Sequence, residues 1–249
     1  LDVDYFEFDE KFYQKLKPTP LKNPKLVSFN KEACDLIGLD YLECERKDFV
    51  DFINGSLTLE GSVPYSMVYA GHQFGYFVPQ LGDGRAINLG AVNNWHLQTK
   101  GSGLTRYSRS GDGRAVLRSS IREYLMSEAM HGLGIPTTRA LAIIDSDTFA
   151  HRDWEEESCS IVMRMSPSWI RVGTFEFFAR TKNKEALSLL ADYVIKQSYP
   201  HLENEENKYE KMFYSLVDKT AELLALWQTY GFQHGVMNTD NFSMAGLTI

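Results

Sequence analysis

The 249-residue sequence has few cysteines and no long hydrophobic run. Its three cysteines, Cys34, Cys44 and Cys159, show neither a C-x-x-C nor a His-paired spacing, which argues against a disulfide framework and a structural zinc site. No apolar run reaches the ~18 residues of a membrane span, and the acidic residues 1–10 resemble neither a signal peptide nor a transit peptide. We therefore expect a cytoplasmic, bacterial-type protein with no membrane partner, or a mitochondrial one if the source is eukaryotic.

An excess of basic residues is also lacking, since the formal net charge is -7. Hydrophobic residues make up 43% and charged residues 24%, a composition typical of a globular protein. A general nucleic-acid binder normally needs basic residues in excess to neutralise phosphates, and the sequence shows no helix-turn-helix or aromatic-basic stacking pattern. We therefore expect no nucleic-acid partner, and any anion site must be local.

One segment is both basic and rich in glycine. Residues 71–140 contain 8 Lys and Arg against 4 Asp and Glu, whereas the rest of the chain has 18 against 29. Nine of the 18 glycines lie within 71–113. Glycine lets backbone amides approach an anion closely, so basic side chains among glycines predict a phosphate-binding region.

Hydrophobic periodicity and turn residues predict the order of the elements. The prediction is a helix near 30–37, an antiparallel meander of strands 76–78, 86–92 and 95–100, a helix 114–131, strands 139–144 and 160–165, helices 184–197 and 208–230, a loop 234–241 and a final strand 242–249. This order is that of an α+β, protein-kinase-like two-lobe fold. It divides the chain into an N-terminal extension (1–65), an N-lobe with nucleotide-binding loops (66–170) and the beginning of a helical C-lobe (171–249).

In that fold, a lysine on the third strand pairs with a glutamate on the next helix. Lys100 ends the third predicted strand, and Glu123 lies in the following helix. Glu128 is the alternative partner, although it lies more than a turn further along. Outside this context, such residues are usually ordinary surface charges.

The loop 234–241 matches the kinase catalytic loop only in part. His234 and Asn241 occupy the expected positions, but the base position holds Val236, which cannot accept a proton. By kinase rules the protein is a pseudokinase. Asp240 stands beside Asn241, so the loop still offers two oxygen donors of the kind that magnesium prefers, unless Asp240 is only an Asx-turn residue.

Six motifs then identify a family resemblance. They are Tyr69-Ala-Gly-His-Gln-Phe-Gly75, Gln80-Leu-Gly-Asp-Gly-Arg-Ala86, Leu97-Gln-Thr-Lys-Gly-Ser-Gly103, Tyr107-Ser-Arg-Ser-Gly-Asp-Gly-Arg114, Ser120-Ile-Arg-Glu-Tyr-Leu125 and His234-Gly-Val-Met-Asn-Thr-Asp-Asn241. In this order and spacing they closely resemble the selenoprotein O family, also called YdiU, from about Tyr13 to Ile249.

The resemblance implies a kinase-like adenylyltransferase that binds ATP in a flipped orientation. It would transfer AMP to Ser, Thr or Tyr hydroxyls of proteins and release pyrophosphate. The implied nucleotide contacts are Gly82, Gly84, Arg85, Lys100, Asp112, Gly113, Arg164 and Arg171. Glu123 would partner Lys100, Asp240 would accept the proton, and Asn241 would bind Mg²⁺, with Mn²⁺ as an alternative metal.

The end of the chain bears on this expectation. In the family, the next strand leads into an Asp-Tyr-Gly motif that supplies a second magnesium ligand, and this sequence stops at Ile249, just before that position. We therefore expect a fragment whose own activity depends on the missing segment. Two alternatives stay open: an ATP-binding pseudokinase scaffold without catalysis, which the early end favours, and a conventional kinase, which Val236 opposes.

Overall fold

The computed structural model describes all 249 residues, which divide into two compact units. Unit 1 comprises Leu1–Met67, Gly82–Ala129 and Arg139–Ser166, and unit 2 comprises Val68–Leu81, Met130–Thr138 and Pro167–Ile249. The strands are β1 (Tyr13–Lys15), β2 (Lys25–Phe29), β3 (Tyr65–Met67), β4 (Gly71–Gln73), β5 (Tyr76–Val78), β6 (Ala86–Val92), β7 (Trp95–Lys100), β8 (Ala115–Val116), β9 (Arg139–Asp145), β10 (Phe149–Arg152) and β11 (Glu155–Ser166). The helices are α1 (Lys31–Ile37), α2 (Lys47–Asn54), α3 (Leu117–Gly132), α4 (Val172–Arg180), α5 (Lys184–Ser198) and α6 (Lys208–Thr229). Short 3-10 helices span Asp4–Glu7, Glu10–Phe12, Tyr41–Glu45, Pro200–Leu202 and Thr239–Asn241.

Unit 1 is built on a nine-stranded antiparallel sheet. Seven strands follow the order β1-β3-β6-β7-β11-β9-β2, and β8 and β10 pair with β11. The long strand β11 is central because it contributes a nearly continuous buried run, with Ile161 and Met163 inaccessible to solvent. Helices α1 and α2 cover this apolar surface through Cys34 and Ile53. The result is an α+β unit with its main core between the sheet and two short helices.

The predicted meander is wrong in its first strand. Strand β5 pairs with β4, not with β6, because Phe74 and Gly75 both have positive φ angles (53° and 82°) and close a two-residue hairpin turn. Strand β6 instead pairs with β3. The second hairpin, β6–β7, is confirmed, with its turn at Asn93 and Asn94, which also have positive φ angles.

The predicted final strand is also wrong. Gly246, with a φ of 83°, turns the chain back on itself, so that Phe242 and Thr248 form an isolated bridge and Ser243 N–H donates to the carbonyl of Leu247 at 2.8 Å. The helices predicted in the second half correspond to α3, α5 and α6. The elements not predicted are β1, β2, β3, β4, β8, β10, α2 and α4.

The helices α4, α5 and α6 are the main regular elements of unit 2. A core cluster of Met130, Ile135, Leu223, Trp227 and Phe242 holds α6 against the segment that follows the loop 234–241. Trp227 on α6 and Phe242 after the loop make the apolar contact between these two segments, with ring centres 6.3 Å apart. No helix combines the length and the apolar composition that crossing a bilayer requires.

Glu128, the alternative partner proposed for Lys100, forms a different ion pair. It accepts two bonds from Arg139, Nε–Oε1 at 3.0 Å and Nη2–Oε2 at 2.8 Å, and a third from the backbone N–H of Ala140 at 2.9 Å. The side chain of Arg139 is only 4% exposed. Glu128 therefore neutralises a buried cation and joins α3 to β9.

The first testable prediction concerns this pair. Glu128→Gln should lower the free energy of unfolding by about 3 kcal/mol, because it leaves only the exposed carboxylate of Glu32, 3.8 Å away, to compensate the buried charge of Arg139. Glu43→Gln is the matched control, since the pair of Glu43 with Arg46 is exposed and should contribute ~1 kcal/mol or less. Urea denaturation of both variants measures the difference, and equal losses would contradict the assignment.

Candidate functional site

Three of the predicted site residues meet in unit 1. Lys100 lies at the end of β7, Glu123 on α3 and Arg164 on β11. Lys100 Nζ donates to Glu123 Oε2 at 2.6 Å, and Arg164 Nη1 donates to Glu123 Oε1 at 3.0 Å. The antiparallel pairing of β7 with β11 places Arg164 opposite Gln98. Gln98 lies two residues before Lys100, so both are on the same face of β7. One carboxylate therefore holds two cations.

Burial and charge act in opposition on this cluster. Burial would raise the pKa of Glu123, but the charges of Lys100 and Arg164 outweigh it and lower the pKa to about 2. Burial lowers the pKa of Lys100 to about 8, and the charges of Arg164 and Arg85 act in the same direction while Glu123 opposes them. Glu123 is thus ionised at neutral pH. Three cations against one anion leave local positive charge that suits a polyphosphate.

A buried polar ladder extends from this cluster and was not predicted. Arg164 Nη2 donates to Gln98 Oε1, Gln98 Nε2 donates to Asn88 Oδ1 at 3.0 Å, and Asn88 Nδ2 donates to Asp83 Oδ2 at 3.1 Å. The same Asp83 oxygen accepts from Met67 N–H at 2.9 Å. Asn88, Gln98 and Arg164 are direct cross-strand partners on β6, β7 and β11. The signal in the sequence was the amide side chains at the centres of apolar strands.

The ladder ends in the glycine turn 82–84. There, the ring of Tyr107 occupies the position that a side chain on Gly82 would need, with Cγ 2.4 Å from an ideal Cβ. Thr105 Oγ1 donates to the carbonyl of Asp83 at 2.7 Å, and Ser108 Oγ donates to the carbonyl of Gly84 at 2.5 Å. The two glycine-rich loops are therefore held together by hydrogen bonds.

Arg85, Asp112 and Gly113, three further predicted nucleotide contacts, lie on or beside these loops. Arg85 Nη1 donates to the carbonyl of Arg114 at 3.3 Å, and the carbonyl of Gly113 accepts from Gly103 N–H at 3.0 Å. The carboxylate of Asp112 accepts both Nη atoms of Arg152, at 2.8 and 2.9 Å. Burial would raise the pKa of Asp112, but the bonds from Arg152 and Arg114 N–H lower it.

The loop 234–241 lies in unit 2 and is fixed by His234. The ring stacks on Trp227 with centroids 5.1 Å apart, accepts Val236 N–H at Nδ1 (3.2 Å) and contacts Thr248 Oγ1 through Nε2 (2.8 Å). An accepting Nδ1 assigns the proton to Nε2. Burial lowers the pKa of His234. Val236 is 52% exposed, so an apolar side chain occupies the position where kinases have a base.

Asp240 and Asn241 follow in the same loop. Asp240 Oδ1 accepts the backbone N–H of His72 at 3.0 Å, and its carbonyl accepts Arg171 Nη1. Arg171 is buried, with its guanidinium 4.4 Å from the ring centre of Tyr69. Of the two arginines predicted to contact phosphate, Arg171 lies in unit 2 and Arg164 lies in unit 1.

Asn241 is the one predicted metal ligand. Its Nδ2 donates to the carbonyl of Val236 at 2.9 Å, which directs the amide oxygen away from that carbonyl. No group of three or more His, Cys, Asp or Glu side chains is arranged to hold a metal ion. Magnesium commonly takes one or two protein oxygens and completes its shell with phosphate and water, and a single oriented amide oxygen fits that mode.

Comparisons with known proteins identify the family. The family described as "Protein adenylyltransferase SelO" matches residues 3–249. The chain belongs to the SelO family. A "Protein nucleotidyltransferase YdiU" from Thioalkalivibrio sulfidiphilus is 51% identical over 250 residues, covering 98% of this chain and 51% of the relative. Proteins of the same name from Thiobacillus denitrificans and Myxococcus xanthus are 49% identical over 253 residues, covering 100% of this chain and 52% of each relative. The chain thus spans about half the length of these SelO-family relatives.

The polar ladder generates a second prediction. Gln98→Leu keeps the volume of the side chain but removes the bonds that Gln98 makes to Arg164 Nη2 and Asn88 Oδ1, so the free energy of unfolding should fall by about 2 kcal/mol or more. Gln228→Leu on the exposed face of α6 is the control and should change it by ~0.5 kcal/mol or less. Chemical denaturation compares the two, and a neutral Gln98→Leu would contradict the ladder.

A third prediction follows from His234. Its pKa is lower in the folded chain than the ~6.5 of an unfolded histidine, so its contribution to stability is complete above that pH and is lost as the pH falls toward the folded value. Wild type should therefore lose stability between pH 7.5 and 5.5 by more than His234→Gln does. Denaturation midpoints at both pH values measure this, and parallel losses in the two proteins would refute it.

Proposed function

We propose that this chain provides nucleotide-binding and catalytic residues of a protein adenylyltransferase. It would transfer AMP from ATP to Ser, Thr or Tyr hydroxyls of proteins and release pyrophosphate. The observation that supports this most directly is the arrangement of Lys100 and Arg164 on Glu123, which leaves positive charge beside the glycine turn. Membership of a family described as protein adenylyltransferases supports the reaction.

The proposed roles follow from the chemistry of each side chain. Lys100, Arg164, Arg85 and Arg171 would neutralise the triphosphate, and the backbone around Gly82, Gly84, Asp112 and Gly113 would approach it closely. Asp240 would accept the proton of the attacking hydroxyl. That oxygen forms a bond to the α-phosphorus, while the bond from this phosphorus to the oxygen that bridges it to the β-phosphorus breaks and pyrophosphate leaves.

A divalent cation belongs to the proposal, with Mg²⁺ preferred and Mn²⁺ as the alternative. Asn241 would contribute its amide oxygen, and the phosphates would contribute others. When bound, the ion would supply charge neutralisation for the triphosphate. The cytoplasm of a bacterium is the expected setting, because the relatives are bacterial proteins.

We also propose a protein-kinase-like fold for the chain. The order of β6, β7, α3 and β11 supports a kinase-like two-lobe fold, divided at about residues 65 and 170. A conventional kinase is disfavoured, since Val236 cannot act as a base. A scaffold that binds ATP without catalysis would retain the cluster around Glu123 but would have no need of Asp240.

A fourth prediction separates these functions. The chain, by itself and extended past Ile249, is incubated with protein extract and with ATP labelled at the α or the γ phosphorus, and the T. sulfidiphilus relative serves as positive control for the assay. Covalent label should come from α-labelled ATP only. Label from γ-labelled ATP only would indicate a kinase. No label from either form of ATP, while the relative is active in the same assay, would indicate a scaffold that binds ATP without catalysis.

Variants assign the roles in the same assay. Asp240→Asn should reduce transfer by ~10²-fold or more while ATP affinity, measured by calorimetry, stays within about threefold, because the amide keeps the shape but cannot take a proton. Lys100→Met should weaken both binding and transfer. Asp218→Asn, an exposed change on α6, is the control. Full transfer by Asp240→Asn would remove Asp240 from the catalytic role.

A further inference from the structure

The carboxylate of Asp240 lies directly against the backbone of β4. An ideal Cβ built on Gly71 would lie 2.3 Å from Asp240 Oδ1 and 2.5 Å from Cγ, so any side chain at this position would displace the carboxylate. Gly71 does not have a positive φ angle, and its backbone conformation is therefore open to other residues. The close approach of Asp240 alone requires glycine here.

The next residue of β4 makes the bond that orients this carboxylate. His72 N–H donates to Asp240 Oδ1 at 3.0 Å, and the carbonyl of His72 accepts Asn238 Nδ2 at 2.5 Å. The backbone N–H and carbonyl of His72 thus bind Asp240 and Asn238, the two ends of the segment 238–240. Because Oδ1 accepts this bond, Oδ2 is the oxygen that we take as the proton acceptor.

A side-chain relay fixes His72 in turn. Thr239 Oγ1 donates to Glu176 Oε2 at 2.5 Å, and His72 Nδ1 lies 3.3 Å from the same hydroxyl oxygen. An ionised carboxylate can only accept, so the hydroxyl proton points to Glu176 and the hydroxyl lone pair accepts from His72 Nδ1–H. The relay joins α4, the loop 234–241 and β4.

The backbone around the relay is held as well. Ala70 N–H donates to the carbonyl of Gly173 in the first turn of α4, at 2.9 Å. Arg171, just before α4, donates to the carbonyl of Asp240. Helix α4 thus holds both the strand that contacts Asp240 and the segment that contains it.

We propose that Gly71, His72, Thr239 and Glu176 are positioning residues that aim one carboxylate oxygen of Asp240 at the hydroxyl to be modified. This inference rests on the proposed function of Asp240. A catalytic group displaced by ~1 Å can lose about 10²-fold in rate, because proton transfer requires hydrogen-bond distance. The relay acts on transfer and not on ATP affinity, since none of its members is assigned to the triphosphate.

The first test uses two substitutions at one position. Thr239→Val removes the hydroxyl and keeps the shape, whereas Thr239→Ser keeps the hydroxyl. Thr239→Val should lower kcat for AMP transfer by ~10²-fold with KM for ATP within about twofold, and Thr239→Ser should restore at least a third of the wild-type rate. Equal rates for the valine variant and wild type would overturn the relay.

The second test uses the close approach at Gly71. Gly71→Ala should lower kcat to a similar extent, with ATP affinity unchanged. Gly132→Ala at the end of α3 is the matched control, because no atom lies within 4 Å of a Cβ at that position. A Gly71→Ala variant that transfers AMP at the wild-type rate would overturn the inference.

Hydrogen exchange at the His72 amide provides a readout that needs neither ATP nor transfer. Thr239→Val should accelerate this exchange by ~10-fold or more, and Thr239→Ser should not. If wild type transfers no α-label, the proposed function fails and the exchange rates decide the inference alone. An amide equally protected in wild type and Thr239→Val would then overturn it, whereas accelerated exchange would retain the positioning of Asp240.

Discussion

Glu123 accepts hydrogen bonds from Lys100 and Arg164 with its two carboxylate oxygens, and much of unit 1 is arranged around that requirement. Charges that leave water must be compensated by partners with good geometry. The sheet supplies both cations from β7 and β11, and α3 supplies the anion. Since the cations outnumber the anion, the cluster is only partly neutralised. The excess of positive charge is the physical reason for our proposal that the cluster binds an anionic ligand.

The ladder Asp83–Asn88–Gln98–Arg164 makes the cluster part of a rigid sheet. Each member satisfies the next, so no position can change alone without leaving a buried polar atom unpaired. Because the ladder ends in the glycine turn, the position of that turn and the position of the Arg164 guanidinium depend on the same hydrogen bonds. A site on paired strands keeps its geometry better than one on an unsupported loop.

In unit 2, Asp240 is held in position without a large sheet. Asp240 lies on a short 3-10 helix in an irregular segment, where backbone ladders are absent. Its position depends on side-chain bonds from Thr239 and Asn238 and on the backbone of Gly71 and His72. Helix α4 adds Glu176 and Arg171. Charge-assisted hydrogen bonds to α4 therefore fix the position of Asp240 in unit 2, whereas strand pairing fixes the positions of Lys100 and Arg164 in unit 1.

The sequence by itself determined the local elements with strong patterns, the family, and the pairing of Lys100 with Glu123. Helices α3, α5 and α6 and the hairpin β6–β7 follow from periodicity and turn residues, which act over a few positions. Strand partners that are distant in the chain depend on tertiary structure instead: β3 joins β6, and β7 joins β11. Only the folded chain could show the pairing of Glu128 with Arg139, the polar ladder and the contact of Asp240 with Gly71, because these contacts join residues 5 to 169 positions apart. Such contacts are decided by how strands and helices pack, and no local pattern encodes them.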